Sequence, residues 1–131
     1  MLPERDSNRI QQTKPLRIMI AEDEGLISLF LAELLEGLGH TVCASVATEA
    51  EAVAAAKVEL PELIIMDGTL RQGSGLHAMK AILSGGFIPH MFVTGDPYRF
   101  CAEPGAIIVQ KPFDAPTLVR AINRALLPPA S

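Results

Sequence analysis

Long apolar runs and paired cysteines are absent from this 131-residue chain, and basic residues are few. No uncharged apolar run reaches the roughly 18 residues that a membrane-spanning helix needs. The polar segment 1–15 lacks the apolar region of a signal peptide. Cys43 and Cys101 lack the paired spacing of a zinc site, so we expect two reduced core thiols in a cytoplasmic protein.

The charge balance is acidic. Lysine and arginine total 11 against 15 aspartate and glutamate residues, for a net charge of -4. Binding to duplex DNA depends on basic side chains that neutralise phosphates, so the composition disfavours a direct nucleic-acid partner, although it is compatible with a local basic patch. Hydrophobic residues make up 49% and charged residues 20%, which favours one folded domain over disorder.

Short apolar segments alternate with helical patterns after residue 15. Continuous apolar or β-branched runs predict five strands, at 16–21, 40–46, 63–66, 87–94 and 106–110. Apolar residues at helical spacing predict helices over 24–38, 49–57, 76–84 and 114–127. Between strands 4 and 5 the helix is expected to be shortened by Pro97, Pro104 and Gly105.

The predicted helices 49–57 and 114–127 carry clear start signals, and the predicted helix 24–38 has a clear apolar stripe. Thr48 and Glu51 have the spacing of a capping box, and Asp114 is predicted to cap the last helix. The stripe predicted to face the core in the first helix consists of Ile27, Phe30, Leu31, Leu34, Leu35 and Leu38.

The alternation of strands and helices predicts an α/β fold with a parallel sheet covered on both faces. Right-handed crossovers leave few topologies, and at this length we expect a flavodoxin-like, doubly wound, five-stranded sheet of order 2-1-3-4-5. One domain is predicted over 16–127, with a flexible lead-in at 1–15 and a tail at 128–131.

Polar residues follow four of the predicted strands, where ligands bind in such sheets. Glu22 and Asp23 follow strand 1, Asp67 follows strand 3, and Thr94 and Lys111 stand at the ends of strands 4 and 5. Clustered carboxylates repel one another and need a counter-charge, and Mg²⁺ prefers such oxygen ligands. A nearby lysine and hydroxyl suit a phosphoryl group, and an aspartate can attack phosphorus to form an acyl phosphate.

Four motifs at these strand ends resemble the CheY-like receiver domain of bacterial two-component response regulators. They are IAEDE at 20–24, LIIMD at 63–67, VTG at 93–95 and KPF at 111–113, and the resemblance runs from Leu16 to Leu127. KPF followed by Leu118 is also similar to the PF-x-x-x-x-L subgroup of receivers found beside alphaproteobacterial kinases.

The resemblance implies a role for each residue of the site. Asp67 would be the phosphoacceptor, and the Lys111–Pro112 peptide bond would be cis. Thr94 and Lys111 would contact the phosphoryl group. The implied Mg²⁺ ligands are Glu22, Asp23, Asp67 and the backbone carbonyl of Thr69.

The resemblance further implies a single-domain, cytoplasmic response regulator. A histidine kinase or a histidine phosphotransfer protein would donate the phosphoryl group, and the signal would pass to a downstream protein partner. Such a domain is not an enzyme beyond catalysing its own phosphorylation and dephosphorylation. Neither a membrane nor a nucleic acid is implied as a direct partner.

The chain departs from the family pattern at three places. The loop GTLRQGSG after Asp67 lacks a common proline, and Ile108 occupies the strand-5 position that usually holds tyrosine or phenylalanine. The interval from Thr94 to Lys111 is also short. Either the output mechanism differs in this chain, or Tyr98 or Phe100 replaces the missing switch aromatic; the second alternative is a hypothesis.

Other readings remain for the site and its surroundings. A pseudo-receiver that binds partners without phosphorylation would keep the same fold. MDGTL at 66–70 resembles the phosphatase motif of the haloacid-dehalogenase family, but the position of the nucleophile in that motif is Ile65, which cannot attack. A flavodoxin would need a phosphate-binding loop after strand 1, where this chain has acidic residues that would repel a phosphate. Residues expected to be structural or exposed are Glu24, His40, His77, His90, Arg71, Gln72 and Ser74.

Overall fold

The computed structural model describes residues 14–100, 103 and 105–128. Most of the predicted lead-in and tail, together with Cys101 and Pro104, lie outside the described residues. No helix in the described part of the chain is long and apolar enough to cross a bilayer.

Strands and helices alternate along the described chain. The elements in order are β1 (Arg17–Ala21), α1 (Gly25–Gly37), β2 (Thr41–Val46), α2 (Glu49–Glu59), β3 (Leu63–Asp67), β4 (Thr69–Leu70), β5 (Gly73–Ser74), α3 (Gly75–Leu83), β6 (His90–Thr94), a 3-10 helix (Pro97–Phe100), β7 (Ile108–Gln110) and α4 (Ala115–Ala125).

The main sheet is parallel and has the order β2-β1-β3-β6-β7. With the strands of the main sheet numbered along the chain, this is the predicted order 2-1-3-4-5, so the fold prediction is confirmed. The predicted shortening of the helix between the last two strands of the sheet is also confirmed, because a 3-10 helix of four residues, Pro97–Phe100, lies there. The register aligns the carboxyl ends of the central strands, with Ala21 opposite Met66 and Asp67 opposite Val93.

Alternate residues of each strand enter two hydrophobic clusters on opposite faces of the sheet. Ile18 and Ile20 pack with α1 and α4, whereas Met19 and Ala21 pack with α2 and α3. Full burial of an isoleucine or methionine side chain stabilises the fold by roughly 2 kcal/mol. The sheet that carries the strand ends is therefore held rigidly from both sides.

The predicted helix starts at Thr48 and Asp114 are confirmed. Thr48 and Glu51 form a complete capping box, and Asp114 accepts a hydrogen bond of 2.9 Å from the backbone N–H of Thr117. Ser74 caps α3 in the same way, through a bond from the N–H of His77.

The last two strands of the main sheet, β6 and β7, begin later than predicted. β6 starts at His90 rather than at residue 87, because Pro89 has no N–H for the ladder. β7 starts at Ile108 rather than at residue 106, where the N–H of Ala106 instead closes a turn on the carbonyl of Glu103. The sequence also predicts a loop over 68–75, whereas Thr69–Leu70 and Gly73–Ser74 form a small antiparallel hairpin.

The inward face of α1 is narrower than predicted. Leu31 and Leu35 are buried, but Phe30, which was assigned to the core stripe, is 47% exposed. Its ring packs on Phe113 at a centroid distance of 5.9 Å. Ile27 and Leu34 on the same helix are partly buried against the core, as the predicted stripe requires.

Candidate functional site

Three carboxylates meet at the carboxyl end of the sheet. Asp67 is the last residue of β3, and Glu22 and Asp23 directly follow the neighbouring strand β1. One carboxylate oxygen from each lies within 4.8 Å of the others. Glu22 and Asp67 are only 4% and 5% exposed, so their charges are shielded from solvent. The predicted clustering of these residues is present in the structure.

Lys111 supplies the counter-charge. Its backbone N–H donates to the carbonyl of Thr94, which fixes the end of β7 beside β6. The ammonium lies 3.3 Å from Asp67 Oδ2, 3.0 Å from Glu22 Oε1 and 3.6 Å from Glu24 Oε1. The Lys111–Pro112 peptide bond is cis, as the resemblance implied. Glu24 was expected only to begin a helix; it is the N-cap residue of α1, and its carboxylate also faces this ammonium.

The two threonines border Asp67 from different strands: Thr94 ends β6, and Thr69 begins β4. Thr94 is buried, and its hydroxyl accepts a 3.0 Å hydrogen bond from the N–H of Asp96. Thr69 is exposed, and its N–H donates to Asp67 Oδ1 at 3.1 Å. The assignment of its carbonyl as a metal ligand stays a prediction.

Burial dominates the electrostatics of the site. Desolvation, followed by the hydrogen bond and negative charge of Asp67, raises the pKa of Glu22 from 4.5 to about 7, although the Glu24 N–H and Lys111 act in the opposite direction. For Lys111, burial lowers the pKa, but hydrogen bonds and charges from Glu22 and Asp67 outweigh it, so the pKa is raised. The site therefore holds its lysine charged.

The donor set fits a hard divalent cation. Glu22 Oε1 is buried and pairs with Lys111 Nζ at 3.0 Å, but no well-aligned hydrogen bond from the described residues reaches it. The single charge of Lys111 offsets one of the three carboxylates, so a divalent cation would neutralise the remaining two. Three carboxylates around one small volume match the preference of Mg²⁺ for a few oxygen ligands plus water. Glu22, Asp23 and Asp67 are the residues that could hold it.

The remaining residues named from the sequence do not enter this cluster. Arg71 donates to the carbonyl of Asp23 at 3.2 Å, and Ser74 caps α3. The three histidines make local contacts instead: His40 with the N–H of Leu16, His77 with Glu49, and His90 with the carbonyl of Ile88.

The structure places the two aromatic residues hypothesised to replace the missing switch residue differently, and the hypothesis stays a prediction. Tyr98 is 83% exposed, whereas Phe100 is 5% exposed and packs on Phe92 at a centroid distance of 4.6 Å. A Cβ on Gly68 would lie 3.0 Å from the Phe100 ring and 3.3 Å from the Thr94 hydroxyl. Phe100 is therefore the buried aromatic beside Thr94.

Sequence reasoning missed Gly75 and Arg99. A Cβ on Gly75 would come within 1.8 Å of the Asp67 carbonyl oxygen, and Arg99 donates to the hydroxyl of Thr69. The only sequence signal for Gly75 is a glycine at a helix start directly after the Asp67 loop. Arg99 has no local signal, because its contacts depend on how two separate loops approach each other.

Glu22→Gln should stabilise the protein in the absence of divalent cations. Because the folded pKa of Glu22 is raised, the wild-type protein loses stability as pH rises from about 4.5 to about 7, and glutamine does not. We expect a gain of roughly 2–3 kcal/mol at pH 8 that shrinks towards pH 5. Urea unfolding in a chelating buffer at both pH values measures it. The exposed Glu33→Gln is the control, and an equal gain at pH 5 and 8 would contradict the titration argument.

Comparisons with known proteins agree with this geometry. A model of the response regulator receiver domain matches residues 18–123. The phyllosphere-induced regulator PhyR of Methylorubrum extorquens is 40% identical over 115 residues, covering 83% of this chain and 43% of PhyR. The transcriptional regulatory protein PdtaR of Mycobacterium tuberculosis is 34% identical over 117 residues, covering 86% of this chain and 57% of PdtaR. The chain thus spans about half the length of these curated relatives.

Solved structures give the same match in three dimensions. The anti-anti-sigma factor PhyR from Bartonella quintana has a TM-score of 0.83 at 34% identity, over 95% of this chain and 52% of that one. The receiver domain of PhyR from Erythrobacter litoralis has a TM-score of 0.80 at 33% identity, over 89% of this chain and 97% of that domain.

The parallel sheet, the acidic cluster paired with Lys111, and the match over residues 18–123 lead to one assignment. Receiver domains are signalling domains rather than classical enzymes, and the chain belongs to the family of response regulator receiver domains.

Proposed function

We propose that residues 16–127 form a receiver that accepts a phosphoryl group on Asp67. The observation that carries this proposal is the position of Asp67, which is buried at a strand end with Lys111 Nζ 3.3 Å from Oδ2 and two more carboxylates beside it. One oxygen of Asp67 would attack phosphorus while the bond to the donor breaks, and the donor leaves with the electron pair. Lys111 would pair with the transferred group, and the hydroxyl of Thr94 would bind one of its oxygens.

Mg²⁺ is part of this proposal. Glu22, Asp23, Asp67 and the carbonyl of Thr69 would hold it, and when bound it neutralises charge between the phosphoryl group and the carboxylates. Removal of divalent cations is therefore expected to stop phosphorylation without unfolding the protein.

The proposed phosphodonor is the phosphohistidine of a histidine kinase or of a histidine phosphotransfer protein. The downstream partner would be a protein in the bacterial cytoplasm, in keeping with relatives that are named an anti-anti-sigma factor and a transcriptional regulatory protein. The net charge of -4 supports a protein rather than a direct nucleic-acid partner.

An apolar surface beside the site supports a protein donor. Leu26, Leu29 and Phe30 on α1 are 84%, 56% and 47% exposed. Leu26 and Phe30 border a groove of about 460 Å³ that Lys111 and Phe113 also line. A donor domain seated on this surface would bring its phosphohistidine to the mouth of the acidic site. Exposed apolar residues grouped in this way are typical of protein contacts.

Leu26→Asp should slow phosphotransfer from a protein donor by about tenfold or more, because a charge replaces an apolar contact at the centre of the surface. Phosphorylation by phosphoramidate, which needs no protein contact, should not change. Val58→Asp on α2 is the matched control, since Val58 is 77% exposed but lies on a helix that packs on the opposite face of the sheet. Transfer rates are measured with a purified kinase or phosphotransfer protein that phosphorylates the wild-type chain. Equal slowing by both variants would argue against this docking surface.

The proposed function is tested by intact-mass analysis after incubation with phosphoramidate. The wild-type protein should gain one phosphoryl group in Mg²⁺ and none in a chelating buffer, and Asp67→Asn should gain none because the nucleophile is removed. A folded wild-type protein that no donor modifies would contradict the proposal and favour a receiver that binds partners without phosphorylation.

A further inference from the structure

Arg99 links the two loops that border the phosphoacceptor. Its Nη1 donates to Thr69 Oγ1 at 2.5 Å, and its Nε lies 3.8 Å from Asp96 Oδ2. Thr69 stands two residues after Asp67, and Asp96 stands two residues after Thr94. One guanidinium therefore contacts a side chain from each side of the mouth of the site.

Both partners of Arg99, Thr69 and Asp96, are hydrogen-bonded to a residue of the proposed reaction. The N–H of Thr69 donates to Asp67 Oδ1 at 3.1 Å, and the N–H of Asp96 donates to Thr94 Oγ1 at 3.0 Å. Lys111 contacts the other carboxylate oxygen, Oδ2. Arg99 and Lys111 thus act on opposite oxygens of the same carboxylate, Arg99 through Thr69 and Lys111 directly.

The neighbouring residue fixes the place of Arg99. Phe100 is buried against Phe92, which anchors the end of the 3-10 helix on the sheet. Arg99 itself lies at the surface, with 48% of its side chain exposed. The guanidinium is therefore held at the boundary between the site and the solvent.

This boundary is where an acyl phosphate would be hydrolysed. A water oxygen attacks phosphorus opposite the bond to Asp67, a new P–O bond forms, and the bond to Asp67 breaks. The products are the Asp67 carboxylate and inorganic phosphate, and the proton of the water goes to phosphate or to bulk water. Because Asp67 is 5% exposed, the attacking water has to arrive from the solvent side, where the exposed residues Thr69 and Asp96 stand.

We propose that Arg99 is a positioning residue that prolongs the life of phosphorylated Asp67 by holding Thr69 and Asp96 together across the path of the attacking water. This inference rests on the proposed phosphorylation of Asp67.

The test is the rate at which purified phosphorylated protein loses its phosphoryl group. Protein is phosphorylated with phosphoramidate and Mg²⁺, freed of donor by desalting, and followed by intact mass. Arg99→Ala should lose the group roughly fivefold faster than the wild-type protein, the rate change that corresponds to one net hydrogen bond. Arg99→Lys keeps the positive charge but lacks the planar guanidinium with its several N–H donors, so its rate of phosphoryl loss should lie between those of the wild-type protein and Arg99→Ala. If Arg99 only stabilised the fold, the variants would differ from the wild-type protein in melting temperature. We expect the three melting temperatures to be equal while the rates of phosphoryl loss differ in the stated order.

Arg120→Ala is the matched control, because Arg120 also donates to a threonine hydroxyl, that of Thr117, but lies on α4 away from the site. Equal lifetimes for the wild-type protein and Arg99→Ala, or a longer lifetime for Arg99→Ala, would overturn the inference and leave the proposed function intact. A wild-type protein that gains no phosphoryl group from phosphoramidate in Mg²⁺ would overturn both.

Discussion

Replacing Gly75 with alanine should lower the free energy of unfolding by roughly 3 kcal/mol or more, which is at the upper end for a change of one methyl group. The added Cβ would lie 1.8 Å from the Asp67 carbonyl oxygen and 2.8 Å from Met66 Cγ. Both atoms belong to the end of β3, and the backbone contact has no flexible side chain that could move aside. Either α3 or the end of β3 must shift. Phosphorylation should therefore weaken together with stability.

Gly25→Ala is the control for this prediction. Gly25 is the first residue of α1, as Gly75 is of α3, but a Cβ there meets no heavy atom within 4 Å. Alanine has a better helix propensity than glycine, so stability should stay the same or rise slightly. Urea unfolding of both variants gives the comparison. Similar unfolding midpoints would contradict the close approach of α3 to Asp67.

Lys111→Met should destabilise the protein by about 3 kcal/mol at pH 8 in a chelating buffer, because it leaves two buried carboxylates without their counter-charge. Glu22 and Asp67 have side chains that are 1% and 6% exposed, and the lysine side chain is 17% exposed. Two conditions should reduce the loss. Acid reduces it because the pKa of Glu22 is about 7, so this carboxylate becomes neutral. Mg²⁺ reduces it because the ion replaces the missing charge.

Thermal and urea unfolding at pH 5 and 8, with and without Mg²⁺, measure this effect. Lys80→Met, on the exposed face of α3, is the control and should change stability little at any pH. A loss in Lys111→Met that neither acid nor Mg²⁺ reduces would contradict the electrostatic account and indicate lost packing of the lysine stem instead.

Much of the fold and most of the site were predictable because both depend on local patterns. A short, continuous apolar run such as 63–66 predicts a buried parallel strand, and the residue after it then lies at the carboxyl edge of the sheet. In a parallel sheet all carboxyl ends share one edge. Glu22, Asp67, Thr94 and Lys111 could therefore be placed together before any contact was known.

What the sequence did not predict depends on distances between elements. Periodicity identifies an apolar side of α1, but packing against other elements decides that Leu31 on that side is buried, whereas Phe30 is 47% exposed and contacts Phe113. Nothing near Arg99 in the chain indicates Thr69 as its partner, because the contact arises only when the loops after β3 and β6 come together. The need for glycine at position 75 arises in the same way, from the approach of α3 to the end of β3.

The central claim is that Asp67 carries the phosphoryl group, and chemical trapping tests it most directly. Borohydride reduces an acyl phosphate to an alcohol and leaves free carboxylates intact, so a phosphorylated aspartate becomes homoserine. After treatment with phosphoramidate and Mg²⁺ and then borohydride, peptide mass mapping should place homoserine at position 67 alone. Homoserine at position 23, or 5-hydroxynorvaline (the corresponding alcohol of glutamate) at position 22, would contradict the assignment, as would phosphorylated protein with no reduced residue at position 67.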